Sequence, residues 1–356
     1  MEMSLDELRK RIDQIDVRML EMLVERANVA AEIGLAKEAG DRTIYAPARE
    51  AELLRALTAN DPAPLGRESV EAVFREIVSA CRGLQQVPAV AFLGPQHTFT
   101  HLAARKRFGH HAQFLPVGSI ADVFDTVERR QANFGVAPIQ NSTEGVIGLT
   151  LDCLLDTPLH VCAEIYVQVN HFLASTGSIE QIEQVRSHPQ VLAQCRRWLR
   201  EMLPGAEQVA TSSSSAAAGE VEGDPSVAAI CTREAADAHG LTVLAENIED
   251  LADNRTRFLI VGDLDVPATG MDKTSVVFST PHQAGALHKA LSAFALYEIN
   301  LTMIQSRPAR GQLWEYVFFV DFEGHHEEPA VAAALKHLGE FCPLLKVLGS
   351  YPAERA

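Results

Sequence analysis

The chain has 356 residues with 47 acidic against 31 basic side chains, a formal charge of −16 at pH 7. That length exceeds one compact core and suggests two or three domains. The charge excludes long-range capture of nucleic acid or anionic membrane, so an anionic small molecule must be met by a local cluster of cations.

In chain order, residues 4–40 carry Leu5, Leu8, Ile12, Ile15, Met19, Met22, Val29 and Ile33 at alternating three- and four-residue steps, one seam of a long helix ending at Gly40. Two further helices are predicted, Pro47 to Leu57 and Arg67 to Gln85, separated by the turn NDPAPLG. The first unit, 1–88, is expected to be all-α. Arg26 falls where the seam asks for an apolar residue. Burying an unpaired guanidinium costs several kcal/mol, so Arg26 needs an anion, from a neighbouring carboxylate or from a ligand. Lys37 lies about 20° around and roughly 16 Å along the helix from Arg26, close enough to converge on one small molecule. Arg9 is about 100° and about 25 Å away and reaches that pocket only from a second chain. Cys81 and Gln85, one turn apart, add polar groups from the last helix. A dimeric helical spacer with an internal Arg–Glu pair is the other reading of this pattern.

Residues 5–86, with VERANVAAEIGLAK followed by APAREAELL, resemble the all-helical chorismate mutase family. The resemblance implies that Arg26 and Arg9 of the partner subunit hold the two carboxylates of chorismate, with Lys37 and Gln85 near the breaking ether oxygen. It also places Arg49, Glu50 and Cys81 in the pocket wall, and Ala46 where some relatives have aspartate. The rearrangement to prephenate is pericyclic, so it needs preorganised donors and no nucleophile.

From VPAVAFLGP the texture changes to short apolar runs (Val90–Leu93, Phe134–Ile139, Val227–Ile230, Phe258–Val261) alternating with helices, which predicts an open α/β sheet over 89–266. Its polar clusters are GPQHTFTHLAA, APIQNSTEG, SHPQVLAQC, TSSSSAAAG and NRTRF. The loop before Thr98 and Thr100 is either an anion-favouring helix N-terminus or ordinary capping. His188 before Pro189 is either a general acid or structural. In this order the clusters resemble the prephenate dehydratase family, whose TRF motif is Thr256-Arg257-Phe258. The resemblance implies a two-lobed domain in which Thr256 contacts the departing hydroxyl and Arg257 holds a carboxylate through its fork. Thr98, Thr100, Asn141, Ser142, Thr143, Ser187, His188 and Gln190 would line the rest of the cleft. Gln140 departs from the usual glutamate, His97 from glycine and Thr100 from serine.

After DVPATG the segments TSVVFST, GALHKALSAFALYE, LTMIQSR, WEYVFFVDF, PAVAAALKHLGEF and LKVLGSY give βαββαβ over 271–356, a ferredoxin-like α+β arrangement. This segment resembles the ACT regulatory domain of prephenate dehydratases. The resemblance implies phenylalanine bound at a dimer interface by Gly285, Ala286 and Leu287 of GALH, by Asn300 and Leu301, and by Gln305, Ser306, Arg307 and Pro308 of QSRP. His288 and Gln305 depart from the motifs, and a pure dimerisation module is the other reading.

Together the resemblances imply a bifunctional mutase and dehydratase of phenylalanine biosynthesis, a homodimer or larger. The alternatives are a dehydratase preferring arogenate and a phenylalanine-binding regulatory protein with decayed catalytic sites. No run of about 18 apolar residues occurs and MEMSLDELRK lacks the parts of a signal peptide, so a cytoplasmic protein without membrane attachment is expected. The six cysteines form no CxxC pair and are expected reduced; the pairs His110–His111 and His325–His326 are expected in solvated loops. Neither metal nor cofactor is expected.

Overall fold

The computed structural model describes residues 3–36, 45–59, 63–221, 223–308 and 316–354. It divides into two compact units, residues 1–88 with 107–113, and residues 89–106 with 114–356.

The first unit contains α1 (Leu5–Ala36), α2 (Pro47–Thr58) and α3 (Arg67–Gly83). Ser4 and Glu7 open α1 with a capping box: Glu7 accepts from the Ser4 amide (2.8 Å), and the Ser4 hydroxyl accepts from the Glu7 amide (3.3 Å). Pro47 starts α2 at the position where a missing N–H costs nothing. The expected end of the first helix at Gly40, and Lys37 with it, lie outside the described residues. No residue of α1 is buried, and the seam stays open: Ile12, Met19 and Met22 are 58%, 53% and 70% exposed. The half-buried face of α1 runs instead through Arg26, Ala27, Ala30, Ala31 and Gly34, and packs on α3. Gly34 is needed there, because a Cβ would come within 2.8 Å of Gln85 Cγ. Tyr45, fully buried, packs on Phe108 and carries the guanidinium of Arg82 on its ring face at 5.3 Å.

The second unit runs β1 (Ala89–Leu93), α4 (Phe99–Phe108), β2 (Gln113–Val117), α5 (Ile120–Glu128), β3 (Phe134–Asn141), β4 (Gly145–Val146), α6 (Gly148–Asp156) and β5 (His160–Gln168). It continues with β6 (Phe172–Ser175), β7 (Gln184–Ser187), α7 (Pro189–Gln194), α8 (Arg196–Met202), β8 (Glu207–Ala210), α9 (Ser214–Gly219), β9 (Val227–Cys231), α10 (Arg233–Ala238), β10 (Thr242–Ala245) and β11 (Arg255–Gly262). These strands form two mixed sheets, one for each of the two lobes that the resemblance implied. One has the order β2-β1-β3-β11-β5 with β4 paired to β3, and the other β10-β6-β9-β7-β8. The chain crosses from the first sheet to the second after β5 and returns before β11, so two lobes result. The crossings are tied together by Val169 N donating to Asn254 O (2.8 Å) and Ile248 N donating to His171 O (3.1 Å).

The last segment supplies β12 (Asp272–Ser279), α11 (Ala286–Leu296), β13 (Leu301–Pro308), β14 (Tyr316–Glu323), α12 (Pro329–Gly339) and β15 (Leu345–Pro352), with antiparallel order β13-β14-β12-β15. That is the ferredoxin-like order anticipated. One face of this sheet packs Val276, Phe278, Val320 and Phe322 under α11 and α12. The other face, through Val277, Val317, Phe319, Leu348 and Tyr351, joins one continuous core with Ala137, Ile139, Leu151, Leu154 and Leu259. The C-terminal segment is thus not a unit apart. His325, expected in solvent, is buried; its Nε2 meets Val266 O at 2.8 Å and its ring packs on His326. Among the described residues no helix is long and apolar enough to cross a membrane.

Candidate active sites

In the helical unit Arg26 Nη1 donates to Cys81 Sγ (2.8 Å), and among the described residues no carboxylate pairs with it. One turn on, Gln85 Nε2 donates to Ala30 O (2.9 Å). Arg26, Cys81 and Gln85 are therefore brought together along the groove between α1 and α3. Arg9 is far down α1, exposed and 3.6 Å from Asp6. Arg49 is exposed and 3.3 Å from Glu52. The Glu50 carboxylate pairs with buried Arg82, a residue sequence reasoning missed. A carboxylate 32 positions away in sequence leaves no local signal for such a pair.

At the meeting of the two lobes the hub is Asn141, at the end of β3. Its Oδ1 accepts from the amides of Thr143 (2.9 Å) and Glu144 (3.1 Å), which fixes the amide's orientation. Its Nδ2 consequently donates to Asn254 Oδ1 (2.8 Å) and to Thr256 Oγ1 (2.9 Å). Thr256, buried on β11, thus receives a hydrogen bond on its oxygen and keeps its own proton for donation. Ser142 braces the same corner, accepting from the Arg255 amide (2.9 Å). Across the cleft, Glu144 accepts from Gln190 and from Gln194 (2.7 Å) of α7, and Gln194 Oε1 meets His171 Nε2 at 2.8 Å. The Ser187 hydroxyl is buried and donates to Ile230 O (2.6 Å), while His188 caps α7 by accepting from the Gln190 amide (3.4 Å). Both hold the loop of the second lobe. Thr98 accepts from the His101 amide (3.4 Å), a capping bond, and Thr100 is buried on α4. His97 sits at φ 65°, the left-handed region that explains why glycine is usual there.

Arg257 is not where the sequence reading put it. Successive strand residues point to opposite faces, so Arg257 leaves the face of Thr256 and Phe258 and enters the shared core. There Nε donates to Glu164 (2.6 Å), Nη1 to Asp321 and Nη2 to the Tyr351 hydroxyl (2.9 Å). The fork expected to receive a substrate carboxylate is filled by the protein's own acids. Gln140 pairs with Arg257 in the ladder, one residue off the face of Asn141.

His101 packs on Phe92 and accepts from the His97 amide (2.9 Å) at Nδ1. Burial, then the neighbouring charges of His97 and Arg105, push its pKa down to about 4. An unfolded histidine takes up its proton near pH 6.5, so stability held above that pH falls as pH drops from about 6.5 to about 4. His101→Asn keeps the acceptor and removes the titration. Its thermal midpoint should fall less than that of the parent between pH 7 and pH 4.5; equal falls would show that His101 does not carry this dependence.

In the C-terminal segment Gly285, Ala286, Leu287 and His288 line a hollow of about 250 Å³ with Tyr316 and Phe318. Gly285 has φ 79° and needs its missing Cβ. The rest of the expected effector set is not in that lining, although Ser306 and Pro308 pair in the ladder with Phe318 and Tyr316. Asn300 donates to Glu323 (3.0 Å), next to Leu301, and Gln305 donates to Ser306 O (3.2 Å). Arg307, beside Pro308 at the end of β13, grips both oxygens of Asp152 on α6 at 2.9 and 2.8 Å.

Three family models match in this order: chorismate mutase type II over residues 8–86, prephenate dehydratase over 90–265 and the ACT domain over 274–340. A bifunctional chorismate mutase/prephenate dehydratase of Aquifex aeolicus is 43% identical over 354 residues, covering 98% of each chain. One of Neisseria gonorrhoeae is 44% identical over 360 residues, covering 99% of each. Among solved structures, the prephenate dehydratase of Arthrobacter aurescens in complex with L-Phe aligns with a TM-score of 0.70 at 36% identity, covering 74% of this chain and 90% of that one. With likeness of this degree running from the α1–α3 groove to the ferredoxin-like sheet, the chain belongs to the family of bifunctional chorismate mutase/prephenate dehydratases.

Proposed function

We propose that this chain rearranges chorismate to prephenate in the α1–α3 groove and converts prephenate to phenylpyruvate at Thr256, under inhibition by phenylalanine. The observation that carries the second reaction is the Asn141-to-Thr256 hydrogen bond, which leaves the threonine proton free to point into the cleft. Prephenate loses its ring carboxylate as carbon dioxide; the electron pair of that bond enters the ring, and the ring C–O bond breaks. The departing oxygen takes a proton through the Thr256 hydroxyl, which is reprotonated from solvent, and leaves as water. Gain of aromaticity supplies much of the driving force, so a neutral donor in a desolvated site suffices.

For the first reaction, Arg26 offers a guanidinium that no carboxylate of the described residues pairs with, beside Cys81 and Gln85, suited to a carboxylate of chorismate. Arg9 and the open seam of α1 are completed by a second copy of the chain, since an apolar stripe of that length is not left in water by a stable monomer. Phenylalanine is assigned to the hollow at Gly285–His288, with the Gln305–Pro308 strand of a second copy closing it.

Purified protein given chorismate should yield phenylpyruvate with prephenate as a transient, followed by absorbance and chromatography. Chorismate decaying at its spontaneous rate would instead mark a binding protein. Faster turnover of arogenate than of prephenate would move the substrate assignment.

A further inference from the structure

Around Arg257 the chain buries four charges that the chemistry at Thr256 does not use. The side chains of Arg257, Glu164, Asp321 and Lys273 are 5%, 0%, 4% and 10% exposed. The signs cancel, and every acid is held more than once. Glu164 takes Lys273 Nζ on both oxygens (2.7 and 2.9 Å), Arg257 Nε, and the Glu354 amide (3.1 Å). Asp321 takes Arg257 Nη1 on one oxygen and the Ser275 hydroxyl (2.6 Å) on the other. Because Ser275 donates to Asp321, the Tyr351 hydroxyl donates to Ser275 (2.7 Å) while accepting from Arg257 Nη2. A closed circuit of bonds results, in which Arg257 donates to Asp321 directly through Nη1 and, from Nη2 by way of Tyr351 and Ser275, to the same carboxylate.

Two of the strands involved, β5 and β11, belong to the dehydratase lobe; four of the groups, Lys273, Ser275, Asp321 and Tyr351, belong to the C-terminal sheet. Arg257 is the residue after Thr256. In a strand the two side chains diverge, but they share one peptide, so the position of the guanidinium sets the position of Thr256 Oγ1 against Asn141. We propose that Asp321 and Tyr351, carried by the ACT-like sheet, are positioning residues of the dehydratase, holding Arg257 so that Thr256 stands where the departing oxygen needs a donor. Met303 Sδ on β13 lies 3.9 Å from Arg257 Nη1, so the strand that carries Gln305–Pro308 reaches the same guanidinium.

This rests on the reading of Thr256 as the proton donor. The test compares Tyr351→Phe and Asp321→Asn with the parent in the full chain, measuring kcat and KM for prephenate, phenylalanine inhibition and mutase turnover. Tyr351→Phe removes one acceptor and leaves every charge in place. Asp321→Asn sets an N–H donor against donors already present. Displacements of a fraction of an ångström to an ångström should lower dehydratase kcat about tenfold to a hundredfold. The KM for prephenate should stay within about twofold and mutase turnover should hold, since misalignment acts on the chemical step. The half-maximal phenylalanine concentration should also shift. A raised KM with kcat intact would overturn the proposal, because it would return Arg257 to the substrate carboxylate. An unchanged kcat in both variants would overturn it too, as would dehydratase and mutase falling together with a lowered melting temperature. Failure of the parent to turn over prephenate would instead remove the assignment of Thr256.

Discussion

Replacing Thr256 with valine is expected to lower dehydratase turnover by about 10²- to 10⁴-fold, the range for loss of a positioned proton donor. Valine keeps the shape of the buried site and removes only the hydroxyl. Asn141 then loses one of the two acceptors its Nδ2 serves, so part of the fall reflects a loosened hub. Thr256→Ser supplies the separation: with the hydroxyl kept, most of the rate should return. Steady-state rates on added prephenate measure both, and mutase turnover on chorismate should be untouched in each. A valine variant with near-parental dehydratase rates would show that the departing oxygen finds its proton elsewhere.

The second large effect is expected at Arg26. Arg26→Ala should lower mutase turnover by about 10²- to 10³-fold or more while sparing dehydration of added prephenate. The reasoning is electrostatic: the guanidinium borders the groove with a thiol as its hydrogen-bonded neighbour, and among the described residues nothing anionic neutralises it. Arg26→Lys should recover only part of the loss, since an ammonium cannot reproduce a bidentate fork. Parallel loss of both activities would make Arg26 a structural residue of the helical unit.

These two sites differ in how far they could be read from sequence. Arg26 announced itself because a cation interrupted a periodic apolar pattern, and the small residues Ala30 and Gly34 that admit α3 lie on the same helix. The βαββαβ tail was equally plain, since its strands alternate with helices at short range. Arg257 was misplaced. Its motif suggested a ligand, but its partners Glu164 and Asp321 are 93 and 64 residues away, and no local pattern reports a pairing of that separation. Strand alternation alone gave a warning, since Thr256 and Arg257 cannot share a face. The assignment of strands to the two sheets of the middle segment was also hidden, because short apolar runs do not say which strands pair.

The continuous apolar layer between the C-terminal sheet and the first mixed sheet of the second unit has a consequence for how such proteins are put together. A module joined only by a tether can be exchanged between chains by recombination at the linker. Here Val277, Val317, Phe319 and Leu348 form a wall of the dehydratase interior. Cutting the chain before β12 would strip that interior of one side and leave Glu164 and Arg257 without half of their partners. Replacement of the sensor by one of different specificity would therefore require the donor to bring a matching inner face, which ties the evolution of the switch to that of the catalyst.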